Sequence, residues 1–193
     1  GIGELTTKIL LMGSANLYVS YNQGEKEIIN LKKEIEELKN KVYFKKIDVL
    51  KVNKSSILKT IKDFKPTHFY YFATPHIFSG NAFNFSRKNF DNFNDIYLNG
   101  FLNIFEMLNK KYLKKVFYPS TIALKIPEAK LFDYATSKAA SEMMCNYLQK
   151  KYKNIMFYIP RLPRLQTDQT SNLFSKKIKN NTKIILNHLI KFN

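Results

Sequence analysis

The sequence predicts an α/β fold built on a doubly wound parallel sheet. Short apolar runs alternate with amphipathic stretches of helical spacing along the 193 residues, which is typical of sheets whose strands are joined by helices. Such connections imply right-handed crossovers between parallel strands. Hydrophobic residues make up 45% of the chain, enough for a buried core, and this excludes a disordered protein. We expect one domain over residues 1–193, since neither a linker nor a repeat divides the sequence.

The first half of the chain begins with a predicted helix. Apolar residues recur at helical spacing from Glu4 to Met12, and Gly13 is suited to end that helix. In the segment Glu25 to Lys39, apolar residues form one stripe and Lys and Glu occupy the other faces, as in a helix that covers one side of a sheet. The predicted elements in order are a helix at 4–12, a strand at 17–21, a helix at 25–39, a strand at 42–49 and a helix at 54–64.

The second half repeats the alternation. The run Thr67 to Ala73 is rich in aromatic residues and strongly β-prone. The predicted elements in order are a strand at 67–73, a helix at 90–109, a strand at 115–121, a helix at 134–151 and a strand at 155–160. The polar stretches 75–87 and 125–133 are predicted loops, and the tail from Ser171 is basic and weakly amphipathic without an assigned element.

Charge and cysteine content narrow the class of protein. The net charge is +17, but the lysines are spread along the chain and arginine is scarce, so we do not expect nucleic-acid binding, which usually relies on clustered charge and on arginine. The single cysteine and three scattered histidines predict no disulfide and no metal site. The sequence contains neither a long apolar span nor a signal-peptide pattern, so we expect a cytoplasmic protein without a membrane segment.

Glycines before the first helix are the first candidate ligand contact, because ligands of such sheets bind at the carboxyl ends of the strands. Gly1-Ile2-Gly3 directly precedes that helix. Glycines there let the backbone approach a pyrophosphate, and the helix start offers unpaired N–H groups and the positive end of its dipole. An ordinary tight turn is the alternative.

Tyr134 and Lys138 lie four residues apart at a predicted helix start. This spacing places both side chains on one helix face, where the Lys138 ammonium would favour the phenolate form of Tyr134. A tyrosine with a lowered pKa can donate and accept a proton near neutral pH. Coincidence is the alternative in a chain so rich in lysine.

Four further residues carry polar groups in places that suggest function. The hydroxyls of Ser120 and Thr121 end a predicted strand, where they can bind a substrate carbonyl or cap the strand. Asn99 beside Gly100 is unfavourable inside a helix, which indicates either a functional position or close packing at the glycine. Asp48 can accept a hydrogen bond from an adenine amino group or cap the next turn.

In their order along the chain, these motifs resemble the short-chain dehydrogenase/reductase family over about residues 1–167. The resemblance rests on Gly1-Ile2-Gly3, Val19-Ser20-Tyr21-Asn22, Ile47-Asp48-Val49, Tyr71-Phe72-Ala73, Leu98-Asn99-Gly100, Ser120-Thr121 and Tyr134-x-x-x-Lys138. Within the family, the segments 70–75 and 161–170 are similar to ketoreductase domains of polyketide synthases. The resemblance implies a single Rossmann-type domain that binds NAD(P), in which the basic tail 168–193 has no assigned part.

The resemblance also implies catalytic roles. Tyr134 would be the general acid that protonates a carbonyl oxygen, and Lys138 would bind the nicotinamide ribose and lower the pKa of Tyr134. Thr121 would orient the carbonyl, with Ser120 as the neighbouring alternative. Asn99 would hold a water molecule in a proton relay.

The cofactor contacts that the resemblance implies lie mostly at strand ends. Asp48 and Val49 would contact the adenine, and the segment 163–167 would lie against the nicotinamide. The full set is Gly1, Ile2, Gly3, Ser20, Tyr21, Asp48, Val49, Ala73, Thr74, Tyr134, Lys138, Pro163, Leu165 and Thr167. Because Ser20-Tyr21-Asn22 has no acidic residue and its surroundings are basic, NADP(H) is favoured and NAD(H) is the alternative.

The chain also departs from the family pattern. Family members have a strand and a Thr-Gly motif ahead of GIG, whereas this sequence starts at Gly1. We therefore expect an N-terminally truncated chain that lacks the first strand of its sheet. Pro163-Arg164 replaces the family's Pro-Gly, and Phe72-Ala73-Thr74 replaces Asn-Ala-Gly.

The leading hypothesis is an NADP(H)-dependent ketoreductase acting on a β-keto acyl thioester, free or bound to a carrier. A basic surface would suit an acidic acyl carrier protein, and family members often pair through the helices that carry Asn99 and Tyr134, so the resemblance also implies a homodimer. One alternative is a nucleotide-sugar epimerase or dehydratase of the same superfamily. Another is a non-catalytic remnant or interaction module that does not hold the cofactor.

Overall fold

Helices and strands alternate along the chain, which confirms the predicted α/β class. The computed structural model describes residues 1–36, 41–52, 54–77, 85–165 and 181–193. The elements are α1 (Ile2–Met12), β1 (Leu17–Tyr21), α2 (Glu25–Glu34), β2 (Val42–Lys46), α3 (Lys54–Phe64), β3 (His68–Tyr70), α4 (Arg87–Asn94), a π-helical turn (Asp95–Gly100), α5 (Phe101–Met107), β4 (Lys115–Phe117), β5 (Ser120–Thr121), α6 (Phe132–Lys151), β6 (Met156–Tyr158), β7 (Arg161–Leu162) and α7 (Asn181–Phe192), with short 3₁₀ turns at Ile122–Leu124 and Ala129–Leu131.

The described strands pair in parallel, as predicted, but in three separate groups. β1 pairs with β2, from Leu17 opposite Val42 to Tyr21 opposite Lys46. β3, β4 and β6 form a second group with β4 in the middle, and β5 pairs with β7 in a third. Among the described residues, no strand joins the β1–β2 pair to β3.

Alternate residues of the central strands face two different helical layers. On β4, Val116 belongs to one apolar cluster and Phe117 to the other. The first layer contains residues of α3, α5 and α6, represented by Ile57, Ile61, Phe101, Phe105 and Cys145. The second contains residues of α1 and α7, represented by Ile2, Leu5, Ile9, Ile185, Leu189 and Phe192. Helices on both faces give the doubly wound arrangement.

The predicted helix at 90–109 differs from the observed one in its bounds and in its internal geometry. It begins at Arg87, ends at Met107, and has a π-helical turn in its middle. A π-turn leaves backbone groups that depart from the regular helical pattern, and here the Tyr71 and Tyr118 hydroxyls donate hydrogen bonds to the carbonyl oxygens of Ile96 (2.6 Å) and Tyr97 (2.9 Å).

Two other regions also differ from the prediction. The predicted strand at 115–121 is divided into β4 and β5, with Pro119, which has no backbone N–H to donate, just before β5. The tail contains a helix, α7, whose buried residues Ile185, Leu189 and Phe192 form the second layer together with α1. No element is predicted for the tail, although these three apolar residues recur at helical spacing. None of the described helices is both long and apolar enough to cross a membrane.

Candidate active site

Most of the predicted site residues line one continuous cleft of about 2210 Å³. The cleft runs from the start of α1, past the ends of β1 and β3, to the first turns of α6. The predicted residues that line it are Gly1, Ile2, Gly3, Ser20, Tyr21, Val49, Ala73, Thr74, Ser120, Thr121, Tyr134, Lys138, Pro163 and Leu165. Residues far apart in sequence therefore line one cleft, which extends along β1 and β3 and includes residues beyond their carboxyl ends, where ligands of doubly wound folds bind.

Lys138 is the buried cation of the site. Its Nζ donates a hydrogen bond to the Pro119 carbonyl oxygen at 2.9 Å and lies 3.8 Å from the centre of the Tyr97 ring. The Tyr118 ring is also close, at 5.0 Å. Burial lowers the pKa of Lys138 to about 7, because removal from water disfavours the charged ammonium. Aromatic faces partly compensate for this by attracting the cation.

Tyr134 lies one helical turn before Lys138 and close to Thr121. Its ring packs edge-on against Phe93 at 5.7 Å and Tyr97 at 6.0 Å. Burial raises the pKa of Tyr134, and interaction with the Thr121 hydroxyl opposes part of that rise. The spacing predicts that Lys138 lowers this pKa, but in the structure burial is the dominant influence and the ammonium lies against Tyr97. A protonated Tyr134 phenol is therefore held beside the Thr121 hydroxyl.

Ser120 and Thr121 have different environments. The Ser120 hydroxyl donates to Glu142, whose carboxylate also receives two hydrogen bonds from the Arg161 guanidinium at 2.8 and 2.6 Å. The paired guanidinium lowers the pKa of Glu142 and keeps it ionised. Ser120 is thereby directed into a link between β5, α6 and β7. Thr121 accepts a hydrogen bond from Ala123 N at 3.2 Å and is the hydroxyl near Tyr134.

The π-helical turn supplies an aromatic wall to the site. Tyr97 is almost wholly buried, and its hydroxyl shares a hydrogen bond of 2.6 Å with Thr74 Oγ1. Burial raises the pKa of Tyr97 well above its ordinary value, so the phenol stays neutral under Lys138. The turn therefore links the end of β3 to the first part of α6.

The opposite end of the cleft is formed by the start of α1. Gly1, Ile2 and Gly3 line it, and the first N–H groups of the helix are a general binding feature for anions. A Cβ at Gly3 would lie 3.3 Å from Phe72 Cβ, whereas one at Gly1 would meet nothing within 4 Å. Close packing against Phe72 therefore explains the glycine at position 3.

Among the described residues, two predicted site residues, Asp48 and Asn99, do not line the cleft. Asp48 accepts a hydrogen bond from Leu50 N at 2.9 Å, so it caps the turn, which is the alternative that the sequence left open. The Asn99 side chain is exposed and donates to Asp95 at 3.0 Å, away from Tyr134 and Lys138. Thr167 lies outside the described residues. Val49 borders the cleft while packing closely against Gly100.

Sequence reasoning missed Tyr97, Glu142 and Arg161. Glu142 follows Lys138 by four residues on α6, so the helical spacing that pairs Tyr134 with Lys138 could have found it. No local signal marks Tyr97 or Arg161, because their partners lie on distant elements. Within the described ranges, no group of three His, Cys, Asp or Glu residues could hold a metal ion.

Comparison with known proteins shows similarity in structure only. No family model matches the sequence, and no curated protein matches it either. An alcohol dehydrogenase from the archaeon Thermococcus sibiricus, complexed with 5-hydroxy-NADP, is 16% identical and aligns over 100% of this chain and 87% of its own, with a TM-score of 0.81. A short-chain dehydrogenase/reductase from Serratia marcescens is 12% identical over 100% of this chain and 86% of its own, with a TM-score of 0.83.

A third similar structure is an NADH-dependent reductase, A1-R′, complexed with NAD. It is 15% identical and aligns over 98% of this chain and 83% of its own, with a TM-score of 0.76. Identities this low establish a shared fold rather than a shared activity. The chain therefore has the Rossmann-like α/β fold of short-chain dehydrogenases and reductases.

Proposed function

We propose that the protein is a nicotinamide-dependent oxidoreductase that reduces a ketone, with Tyr134 as the proton donor. The observation that supports the proposal is that Thr121, Tyr134 and Lys138 all line a single cleft, with the Tyr134 phenol in hydrogen-bond contact with the Thr121 hydroxyl. A neutral phenol, a hydroxyl beside it and a buried ammonium are the groups that carbonyl reduction requires of a protein: a proton, an orienting hydrogen bond and a cation.

The residues of the cleft around Lys138 fit a nicotinamide cofactor. An ammonium has three N–H donors, and the one acceptor within hydrogen-bond range of Lys138 in the described structure is the Pro119 carbonyl oxygen. Lys138 is 7% exposed, yet it lines the cleft. A buried donor with spare hydrogen bonds favours a polar ligand, and the hydroxyl groups of a nicotinamide ribose have the right chemistry.

When bound, the cofactor supplies a hydride to the carbonyl carbon. Tyr134 donates its phenolic proton to the carbonyl oxygen, and Thr121 holds that oxygen through its hydroxyl. Lys138 would bind the hydroxyl groups of the nicotinamide ribose through its remaining N–H donors. The Phe93 and Tyr97 rings exclude water from one side of the Tyr134 ring.

We favour NADP(H) over NAD(H) because of the charge at the end of β1. Ser20 and Tyr21 carry no acidic group, and in the register of the sheet they lie opposite Lys45 and Lys46. Lys46 is paired with Glu25 at 2.6 Å, so Lys45 is the lysine that we propose for contact with a 2′-phosphate. Similar folds have been solved with an NADP analogue and with NAD, so the preference is a proposal about this chain.

As the substrate class, we propose β-keto acyl thioesters, free or bound to an acyl carrier protein. The support is the similarity of segments 70–75 and 161–170 to ketoreductase domains, together with the net charge of +17, which would attract an acidic carrier. The mouth of the cleft beside Tyr134 includes apolar side chains such as Ile122 and Ile126, which suit an acyl chain.

A cofactor titration followed by a reduction assay tests the proposal. We expect saturable fluorescence changes with NADPH, weaker ones with NADH, and oxidation of NADPH on addition of a β-keto thioester. Tyr134→Phe should lower turnover at least about 100-fold, since the proton donor is lost, and should change the Kd for NADPH less than about threefold. Tyr147→Phe on the same helix is the matched control, because Tyr147 is 67% exposed.

Three results would contradict the proposal. Unchanged turnover in Tyr134→Phe would remove Tyr134 from the reaction. An equal loss in Tyr147→Phe would indicate damage to α6 rather than to the chemistry. Absence of cofactor binding by a folded chain would favour the non-catalytic alternative.

A further inference from the structure

Lysines that are scattered along the sequence come together at one end of the sheet. β3, β4 and β6 are parallel and begin at the same level, because His68 lies opposite Lys115 and Lys115 lies opposite Met156. The turns that precede these strands therefore lie side by side. Seven exposed lysines occupy these turns and the adjoining ends of α6 and α7, and we call them the basic face: Lys65, Lys111, Lys114, Lys150, Lys151, Lys153 and Lys191.

Contacts between the turns show that the basic face is continuous. Lys65 and Lys111 come from different turns, and both lie over the Tyr112 ring, at 5.4 and 6.0 Å from its centre. Lys151, at the end of α6, lines a shallow depression of about 380 Å³ together with Lys110 of the second turn. The three turns therefore form one surface.

Two neighbouring lysines have a structural role and are not counted in the basic face. The Lys110 ammonium donates to carbonyl oxygens at the end of α5, and the Lys115 ammonium donates to the Phe192 carbonyl oxygen at the end of α7, at 2.7 Å. Both satisfy backbone groups that a helix leaves without partners. The second contact also brings the end of α7, which carries Lys191, to the basic face.

The basic face has no acidic partners in the part of the chain that the structure describes. None of the ion pairs there involves its seven lysines, whereas lysines elsewhere are paired, as Lys46 is with Glu25. Neither Asp nor Glu occurs in the segments 64–69, 108–115, 146–156 and 186–193. The positive charge of this surface is therefore available to a partner.

Helix ends account for only a small part of this charge. α3, α5, α6 and α7 all end beside the basic face. The C-terminal end of a helix carries about −0.5 elementary charge, so four ends attract roughly two positive charges. Lys110 and Lys115, which hydrogen-bond to two of these ends, already supply that amount. The seven exposed lysines exceed what the helices require.

We propose that the basic face binds the surface of an anionic lipid bilayer. The surface potential of such a bilayer attracts clustered lysines without any fixed geometry. The face suits a flat surface because its turns lie at one level of the sheet. Because β4 runs from Lys115 at this end towards Thr121 and Tyr134 at the other, the candidate active site would face the solvent in the bound protein.

Other anionic partners fit the basic face less well. Its four segments contain no arginine, whose planar guanidinium is the usual group for bidentate contacts with nucleic acids. Protein interfaces are depleted in lysine and depend on a few aromatic or arginine anchors, and the two tyrosines here, Tyr112 and Tyr152, are only partly exposed. A charged bilayer requires neither kind of group.

Co-sedimentation with lipid vesicles tests the proposal without reference to enzymatic activity. The chain should pellet with phosphatidylcholine vesicles that contain about 25% phosphatidylserine, since these attract lysine clusters, and should stay in solution with phosphatidylcholine alone. Raising NaCl from about 0.1 M to about 0.5 M should release it, because salt screens the attraction.

Two double variants show whether the position of the charge matters. Lys111→Gln/Lys151→Gln should weaken binding to the anionic vesicles at least about tenfold. Lys26→Gln/Lys33→Gln is the matched control, because both lysines are exposed on α2, outside the basic face, and the net charge changes equally. The control should change binding less than about threefold.

Chemical acetylation of lysines, mapped by mass spectrometry, gives a second readout on the unsubstituted chain. Anionic vesicles should protect Lys111, Lys151 and Lys153 from the reagent and leave Lys26 and Lys33 reactive. Absence of binding to the anionic vesicles, or equal weakening by the two double variants, would overturn the proposal. Tighter binding to polyuridylic acid or polyglutamate than to the vesicles, lost only in Lys111→Gln/Lys151→Gln, would assign the face to a nucleic acid or an acidic protein and would also overturn it.

Discussion

Burial of the Lys138 ammonium has an electrostatic cost for the folded protein. The ammonium is buried among Pro119, Tyr97 and Tyr118, and a buried charge with incomplete hydrogen bonding destabilises a fold. The depressed pKa of about 7 reflects this cost, because the folded protein releases the Lys138 proton at a much lower pH than an exposed lysine does. A group kept at such a cost is a candidate for function.

The first prediction concerns the pH dependence of stability. Lys138 has a pKa of about 7 when folded against its ordinary value of 10.5. Between these values the unfolded chain holds a proton that the folded chain has released, so this group makes stability rise with pH, by at most about 1.4 kcal/mol per unit. Urea unfolding from pH 6 to 9 should show wild type gaining stability relative to Lys138→Met. A pH-independent difference would contradict the depressed pKa.

A second prediction separates the two hydroxyls at β5. Thr121→Ala should lower kcat roughly tenfold or more, and Thr121→Ser should restore most of it, since only the hydroxyl near Tyr134 is required. Ser120→Ala should instead cost about 1 kcal/mol of stability, because Ser120 hydrogen-bonds to Glu142, and should leave kcat within about threefold. The reverse pattern in kcat and urea-unfolding measurements would assign the catalytic hydroxyl to Ser120.

At the scale of elements, α6 and the π-helical turn position the site together. Ser137 on α6 donates to Asn94 Oδ1 at 2.8 Å, and the Asp133 carboxylate accepts from the Ser86 backbone at 3.1 Å. These bonds join α6 to both ends of α4. The π-turn continues directly from α4, so the position of Tyr97 relative to Lys138 depends on this contact.

The sequence predicted the local part of this arrangement and missed the non-local part. The Tyr134-to-Lys138 spacing follows from helical periodicity alone. The π-turn depends on hydroxyls from Tyr71 and Tyr118, which are distant in sequence, and propensity offers no account of such partners. The unfavourable Asn99-Gly100 pair did mark the turn, although its cause is packing at Gly100 and the Asn99 side chain is exposed.

A third prediction tests the packing at the π-turn. A Cβ at Gly100 would lie 2.7 Å from Val49 Cγ2 and 2.8 Å from the Tyr71 hydroxyl, so Gly100→Ala should destabilise the protein by roughly 1–3 kcal/mol despite the higher helix propensity of alanine. Asn99→Ala in the same turn is the matched control and should change stability by less than about 0.5 kcal/mol. The free energies of unfolding of the two variants are measured by chemical denaturation. A more stable Gly100→Ala would contradict the prediction and show that the π-turn can make room for the added methyl group.

At the scale of the whole molecule, the two helical layers show which parts of the fold could be predicted from the sequence. Helices interposed regularly between the predicted strands predicted a doubly wound sheet, and α3, α5 and α6 do cover one face of it. The second cover combines α1 with α7. Ile185, Leu189 and Phe192 recur at helical spacing in α7, but the face that they cover, formed by Tyr70, Phe117 and Tyr158, comes from distant parts of the chain.

A fourth prediction tests whether α7 is an integral part of the fold. Ile185 is fully buried within the second apolar cluster, whereas Ile190 on the same helix is 66% exposed. Ile185→Ala should therefore cost roughly 2–5 kcal/mol, and Tm should fall by about 2–4 °C for each kcal/mol in a chain of this length. Ile190→Ala removes the same atoms from the surface and should leave Tm nearly unchanged. If α7 docked only loosely, Ile185→Ala and Ile190→Ala would give equally small shifts in a thermal scan, and the cover of the second face would then depend on α1 alone.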